Sequence, residues 1–388
     1  MTTPDASASS LSSDVLVIGG GAVGLSLAWE LARRGARVTV VDRREMGQEA
    51  SWAAAGMIPV GPAADRWPDA EPLEALAGLS QRLHPAWHEM LLEQTGIDNG
   101  YRRTGAVHLA PTPSAAAALR TAVRRADELG MAAQEIAVES IDDWEPALGA
   151  TRRPVAAAAY FADEAQVRSP WHLRALEQAC RQAGVELRPH CAVRRLVRRG
   201  DRVAGIETAD GLLVAATYCL TAGCWSGPLL ESWGGFAPVR PVRGQMALLR
   251  AAPDLLGRHV CIESKYLVPR TDGRVLVGST EEDVGFQRHT TDAAIAQLVA
   301  FAVETAPALA AAELERSWAG LRPQAIDGRL ALGPVAQGGN LWIATGHYRG
   351  GIQLAPATAL CVAEVLAGGV APVDLTAFSP RRWPTACA

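Results

Sequence analysis

The chain has 388 residues, 49% of them hydrophobic and 20% charged, the balance of a folded protein of about two domains with sizeable cores. A net charge of −4 leaves no global positive field to recruit nucleic acid or an anionic membrane surface. Seven cysteines, at 180, 191, 219, 224, 261, 361 and 387, are odd in number and form no C-x-x-C pair, which argues against a disulfide framework or a zinc cluster and for reduced cytoplasmic thiols.

Residues 1–12 read as a disordered tail, without the basic start and apolar core of a signal peptide, and no later segment is an apolar run of spanning length. Asp14–Ile18 is a short run of strand formers leading into Gly19-Gly20-Gly21-Ala22-Val23-Gly24. The glycines at 19, 21 and 24 fit G-x-G-x-x-G: a tight turn, a close approach of backbone to a pyrophosphate, and close helix–strand packing. A helix follows, with Val23, Leu27 and Leu31 on one face, Arg33 and Arg34 at its C-terminal dipole and Gly35 to stop it. A second strand, Arg37–Val41, ends at Asp42-Arg43, where an acid bonds ribose hydroxyls. Strand, glycines, helix, strand and acid in this order predict an ADP-binding βαβ unit, which by itself does not separate FAD from NAD.

Glu49–Met57 (EASWAAAGM) is crowded with small residues, readable either as an Ala-rich helix or as backbone that approaches an extended cofactor. His84 and His88 have helical spacing for a metal, but Pro85 lies between them and no third ligand is near, so no metal site is predicted. Arginines alternate with valines in residues 193–202 without aromatics, the pattern of a solvated strand face. The strand-like Ala215–Leu220 ends in Thr221-Ala222-Gly223-Cys224-Trp225-Ser226. Strands are predicted at Val239–Leu249, Val260–Ile262, Tyr266–Pro269 and Arg274–Gly278, then a helix from Thr291 to Glu304. Leu341–Ala344 reads as a strand before Thr345-Gly346-His347-Tyr348-Arg349-Gly350-Gly351-Ile352, with a helix from Pro356 to Leu366.

Arg322 is the one charge in SWAGLRPQAI, and Arg349 has no acid nearer in the following sequence than Glu364. A guanidinium among apolar residues without a local carboxylate is exposed, partnered from elsewhere, or waiting for an anion.

Taken together, the opening βαβ unit, EASWAAAGM, TAGCWS, SWAGLRP (317–323) and ATGHYRGGIQLAPATA (344–359) resemble the D-amino-acid-oxidase superfamily, and within it the glycine oxidases of the thiamine-biosynthesis type. The resemblance runs from about residue 13 to 368. It implies an α/β FAD-binding domain, Rossmann-like and of the glutathione-reductase type, joined to an α+β substrate domain with a mostly antiparallel sheet. FAD would be held by Gly19, Gly21, Gly24, Asp42 and Arg43, then by Ser51, Ala55, Gly56 and Met57, with Val193 of a mid-chain strand on the adenine. Ala222, Gly223 and Trp225, and the turn at His347, Arg349, Gly350, Gly351 and Ile352, would complete the flavin side. Arg322 would grip the substrate carboxylate, Arg349 would contact substrate or the flavin edge, and the Tyr266 hydroxyl would share the carboxylate. Members with covalent flavin carry a Cys in the region 318–327; none is present here, which implies non-covalent FAD.

The chemistry so implied is oxidation of glycine or an N-substituted glycine to an imine, then glyoxylate and an amine, with oxygen reduced to hydrogen peroxide. His347 is the nearest titratable group and is read as structural. Two departures from the family pattern, Gly350 for asparagine and Gln324 in RPQAIDG, leave open a larger secondary amine such as an N-carboxymethyl amino acid; separate alternatives are a dehydrogenase using another electron acceptor and a non-enzymatic FAD-binding protein, the last opposed by the arginine and tyrosine positions. The partners expected are a small amine and oxygen, with neither nucleic acid nor membrane, and a homo-oligomer as is frequent in the family. The cofactor motifs require a discontinuous FAD domain from 13–82, 151–230 and 319–388, with 83–150 and 231–318 inserted as the substrate domain.

Overall fold

A computed structural model describes residues 13–383, so the tail expected at 1–12 lies outside the described residues. The apolar runs read as strands assemble into a six-stranded sheet. Its spatial order is Ala331–Pro334, Leu341–Thr345, Ala215–Leu220, Ser13–Ile18, Val38–Val41 and Glu186–Arg188, all parallel except the first pair. Both faces are covered, as near-continuous apolar strands require. On one face the helices Ala22–Arg33, Ser169–Gln182 and Gly351–Leu366 bury Leu25, Trp29, Leu176 and Ala359 against Val15, Val17 and Val40.

The second layer is an eight-stranded sheet. It runs Glu313–Ala325, Val239–Arg250, Arg274–Gly278, Lys265–Pro269, His259–Ile262, Ala106–Ala110, Ala157–Phe161 and Ala133–Ile136. Every pairing is antiparallel except that of His259–Ile262 with Ala106–Ala110. The helix Asp292–Thr305 packs Leu298 and Phe301 on the outer side of this sheet, in one cluster with Val260, Leu267 and Val277.

Several elements depart from the expected segments. The helix Pro72–Thr95 crosses the boundary drawn at 82/83 and stays with the cofactor layer throughout, burying Leu76 and Leu79 against Leu354 and Ala357, and Trp87 edge-on against Trp29. Ala157–Phe161, inside a segment assigned to the cofactor unit, is a strand of the eight-stranded sheet in register with Ala106–Ala110. The helix read from Pro356 begins five residues earlier, at Gly351. Proline in a helix leaves a carbonyl of the preceding turn without its partner. The carbonyl so freed by Pro356 is that of Ile352; one residue on, the Gln353 carbonyl accepts from Ser80 and His84 of the neighbouring helix at 2.5 and 3.0 Å. Val193 lies in the loop just before the strand Arg195–Arg199, not in a strand. That strand and its hairpin partner, Arg202–Thr208, carry the arginine run outward, with Arg195 paired to Glu207.

Candidate active site

Between the two sheets lies a cleft of about 690 Å³, within the range of small-molecule and cofactor sites. It begins where the first strand turns into its helix. Gly19 has a φ of +110°, open to glycine, and a Cβ there would lie 2.7 Å from the Thr221 carbonyl oxygen. Thr221 ties this turn to the neighbouring strand, its hydroxyl donating to the Ile18 and Gly19 carbonyls at 3.1 and 2.8 Å. Asp42 accepts from the Gly20 amide at 2.8 Å and the Arg44 amide at 2.9 Å. Burial raises its pKa, and those amide bonds oppose the shift. Asp42 therefore braces the turn as well as facing the cleft.

Two helix N-termini open into this space, at Gly21-Ala22 and at Gly350-Gly351, neither with a side-chain cap from its own N-cap residue. Their unpaired amides and positive dipole ends suit a pyrophosphate and an electron-rich ring edge. Ser51 reaches one of them, accepting from the Ala22 amide at 2.9 Å. EASWAAAGM resolves its two readings by being both: a single helical turn, Ala50–Ala53, then extended backbone through Ala55 and Gly56 along the cleft wall to the short strand Met57–Ile58. Arg270, unpredicted and half-buried, donates to the Ala55 carbonyl at 2.6 Å and to Gln166, and desolvation lowers its pKa to about 10. At the far end Arg43 stacks over Trp225, 3.6 Å from the ring centroid, beside Val193.

The other wall is the inner face of the eight-stranded sheet. Strand register places Trp318, Met246, Gly278, Tyr266, Cys261 and His108 as successive partners across six strands. Two glycines make room for flat-lying side chains. A Cβ on Gly244 would lie 2.2 Å from the Arg322 guanidinium, and one on Gly278 2.5 Å from the Tyr266 ring. Arg322 is half-buried and donates to the Thr280 carbonyl at 3.0 Å and the Ser279 hydroxyl at 2.6 Å, neutral partners both. Among the described residues no carboxylate forms an ion pair with it, so its positive charge faces the cleft uncompensated. Arg349 differs: it is ion-paired with Glu281 and donates to the Ser264 carbonyl at 2.8 Å.

The cleft wall thus collects Gly19, Gly21, Asp42, Arg43, Ser51, Ala55, Gly56, Met57, Val193, Ala222, Gly223, Trp225, Tyr266, Arg322, His347, Arg349, Gly350, Gly351 and Ile352. Gly24 is the exception and is corrected from cofactor contact to packing. It is set behind the turn, where a Cβ would meet the Gly19 carbonyl oxygen at 1.9 Å. Gln324 is likewise outside the wall, accepting from Arg240 at 3.0 Å, so of the two departures from the family pattern only Gly350 shapes the cleft. His347 bonds Thr358 at 3.1 Å, and burial lowers its pKa to about 4, so it is neutral at physiological pH. Residues the sequence reading missed include Ser279, Lys265, Tyr348, and His108 with Glu164 and Cys261. Strand register alone brings Cys261 and His108 side by side at the cleft, which no spacing in the chain signals, whereas Tyr348 stands in the glycine-rich turn after Thr345 and Ser279 acts through Arg322. An extended dinucleotide fits the backbone cradle at one end, and the donors at the other end fit a small anion.

Comparison with known proteins agrees with this geometry. The family described as FAD dependent oxidoreductase (DAO) matches residues 14–365. A glycine oxidase of Pseudomonas putida is 38% identical over 373 residues, 96% of this chain and 99% of that protein. The crystal structure of glycine oxidase from Geobacillus kaustophilus superposes with a TM-score of 0.86 at 32% identity, covering 96% of this chain and 99% of that one. Iminodiacetate oxidase from Chelativorans sp. BNC1 follows at 0.82 and 27% identity, covering 94% and 98%.

Proposed function

Since the chain belongs to the FAD dependent oxidoreductase family, we propose that it is an oxidase of glycine or an N-substituted glycine, with FAD held non-covalently. The observation that carries this reading is Arg322: a guanidinium held only by neutral acceptors, facing a cleft whose opposite wall is a dinucleotide cradle. Its planar fork offers two donors to a carboxylate, and the Tyr266 hydroxyl stands on the same sheet face. FAD bound there would supply the hydride acceptor for the carbon bearing the amine, with oxygen as final acceptor; the overall products would be hydrogen peroxide and an imine, which water hydrolyses to glyoxylate and an amine. The chain's part is to anchor the carboxylate at Arg322 and orient the α-carbon. No side-chain base is needed if the amine arrives unprotonated, in keeping with a neutral, hydrogen-bonded His347.

A second reading keeps the site and enlarges the substrate to a secondary amine with a further carboxylate. It is favoured by Gly351, beside Gly350, where a Cβ would meet nothing within 4 Å. The test is purification, a visible spectrum, and peroxide release from glycine, sarcosine, N-alkylglycines and iminodiacetate. Turnover of glycine or sarcosine with peroxide supports the first reading. Preference for the diacid supports the second, and turnover only with a dye acceptor contradicts both. Denatured holoenzyme should release all its yellow colour into the supernatant; colour retained on the precipitated chain overturns non-covalent binding.

A further inference from the structure

On the sheet face beyond Tyr266, three side chains converge that the proposed reaction does not use. Cys261 and His108 are register partners on adjacent parallel strands, so their side chains leave the same face side by side. Glu164, in the turn between Ala157–Phe161 and Ala165–Gln166, meets His108 with its carboxylate oxygen 2.8 Å from Nε2. One donor atom from each of the three lies within 4.8 Å of the others, and all three residues line the cleft. Glu164 and Cys261 are buried, 3% and 7% exposed, while His108 is half-open to the cavity.

An imidazole, a carboxylate and a thiol on rigid elements, open on one side, form the donor set of a borderline divalent cation such as zinc. Three protein ligands with a fourth position toward the cavity is the pattern of an open tetrahedral site rather than a sealed structural one. Charge supports it. A thiolate and a carboxylate match a divalent cation, which would displace the protons these groups otherwise hold.

We propose that His108, Glu164 and Cys261 form a binding site for one zinc-like divalent cation on the cleft wall. The reading is independent of which amine is oxidised, because the test reads metal binding without turnover. Holoenzyme in a C387S background, which removes the cysteine outside the described residues, is dialysed against chelator and titrated with Cd2+ or Zn2+ alone. One cation per chain is expected, with a thiolate-to-cadmium ultraviolet band and, by X-ray absorption of the zinc form, one sulfur among nitrogen and oxygen ligands. Cys261→Ser should abolish the band. Losing a ligand should weaken binding beyond the roughly 10–100-fold that follows loss of an outer-shell partner. His108→Asn should weaken binding equally while keeping the band at saturation, a check that does not depend on how the cysteine variant folds. An unmutated background that binds no cation, or one whose bound zinc carries no sulfur, overturns the proposal. So does unchanged affinity in either variant.

Discussion

The cradle end of the cleft presents backbone, whereas the sheet end presents side chains. At the first, Gly21 and Gly350-Gly351 open two helix N-termini onto the cleft, Gly19 makes the turn, and Gly24 lets the helix close onto it. At the second, Gly244 and Gly278 are holes in a pleated face, and what fills them is Arg322 and Tyr266. A missing Cβ thus serves two purposes. At Gly19 and Gly24 a substitution collides with backbone that has nowhere to go; at the sheet it collides with the end of a long side chain, which can swing away at a cost to binding rather than to folding.

The contrast orders what substitutions should do. Gly24→Ala puts a methyl 1.9 Å from a carbonyl oxygen of the cradle, and overpacking of this kind costs about 1–3 kcal/mol even where neighbours can shift. Most of the protein should emerge insoluble or without FAD, read as flavin per chain; a stoichiometric yellow product would break the distinction. Arg322→Ala should keep FAD and raise the substrate KM about 10–150-fold, the equivalent of a charge-assisted pair worth about 1.5–3 kcal/mol. Arg349→Met should raise it less than about 5-fold, because the Glu281 carboxylate already neutralises that guanidinium and an exposed pair is worth at most about 1 kcal/mol. Equal effects at the two positions would remove the difference between them. Gly244→Ala, by pushing the Arg322 guanidinium aside, should raise KM about 10-fold, near 1.4 kcal/mol, with the flavin spectrum unchanged.

The smallest effect is on acid stability. Burial lowers His84 and His347, near the cradle, to about 4, and His172 and His259 to about 3. Against about 6.5 in the unfolded chain, these groups bind fewer protons folded than unfolded, so stability rises with pH. Their contribution is complete above about pH 6.5 and is lost as pH falls toward 4. The melting temperature should decline over that window; a Tm that holds or climbs between pH 6.5 and 4.5 would contradict the burial of these rings.

The same contrast explains what could be read from the chain. The first half of the cradle is contiguous: strand, glycines, helix and Asp42 follow one another within residues 13–42, and each does its work through backbone that local pattern dictates. Four of the eight strands of the second sheet were also legible, and Arg274–Gly278 matches residue for residue. Their order was not, since pairing between His259–Ile262 and Ala106–Ala110 spans about 150 residues and leaves no local trace. Hence Arg322 could be singled out for lacking a carboxylate in sequence, yet the carboxylate that meets Arg349 is Glu281, supplied by a loop from the other layer. The His108–Glu164–Cys261 group went unseen for the same reason. Pro356 misled in another way: it read as a helix start, whereas the helix begins at Gly351 and carries the proline in its interior.

The central claim is that the uncompensated guanidinium of Arg322 is the anion-binding pole of a flavin cleft. Acetate, a carboxylate with no amine to oxidise, tests it without chemistry, by titration of the visible flavin spectrum of the wild-type holoenzyme and of Arg322→Ala. A saturable perturbation in the wild type that weakens by about 10-fold or more in the variant is predicted, since the pair is worth about 1.5–3 kcal/mol. Acetate binding of equal strength in both proteins would contradict the account.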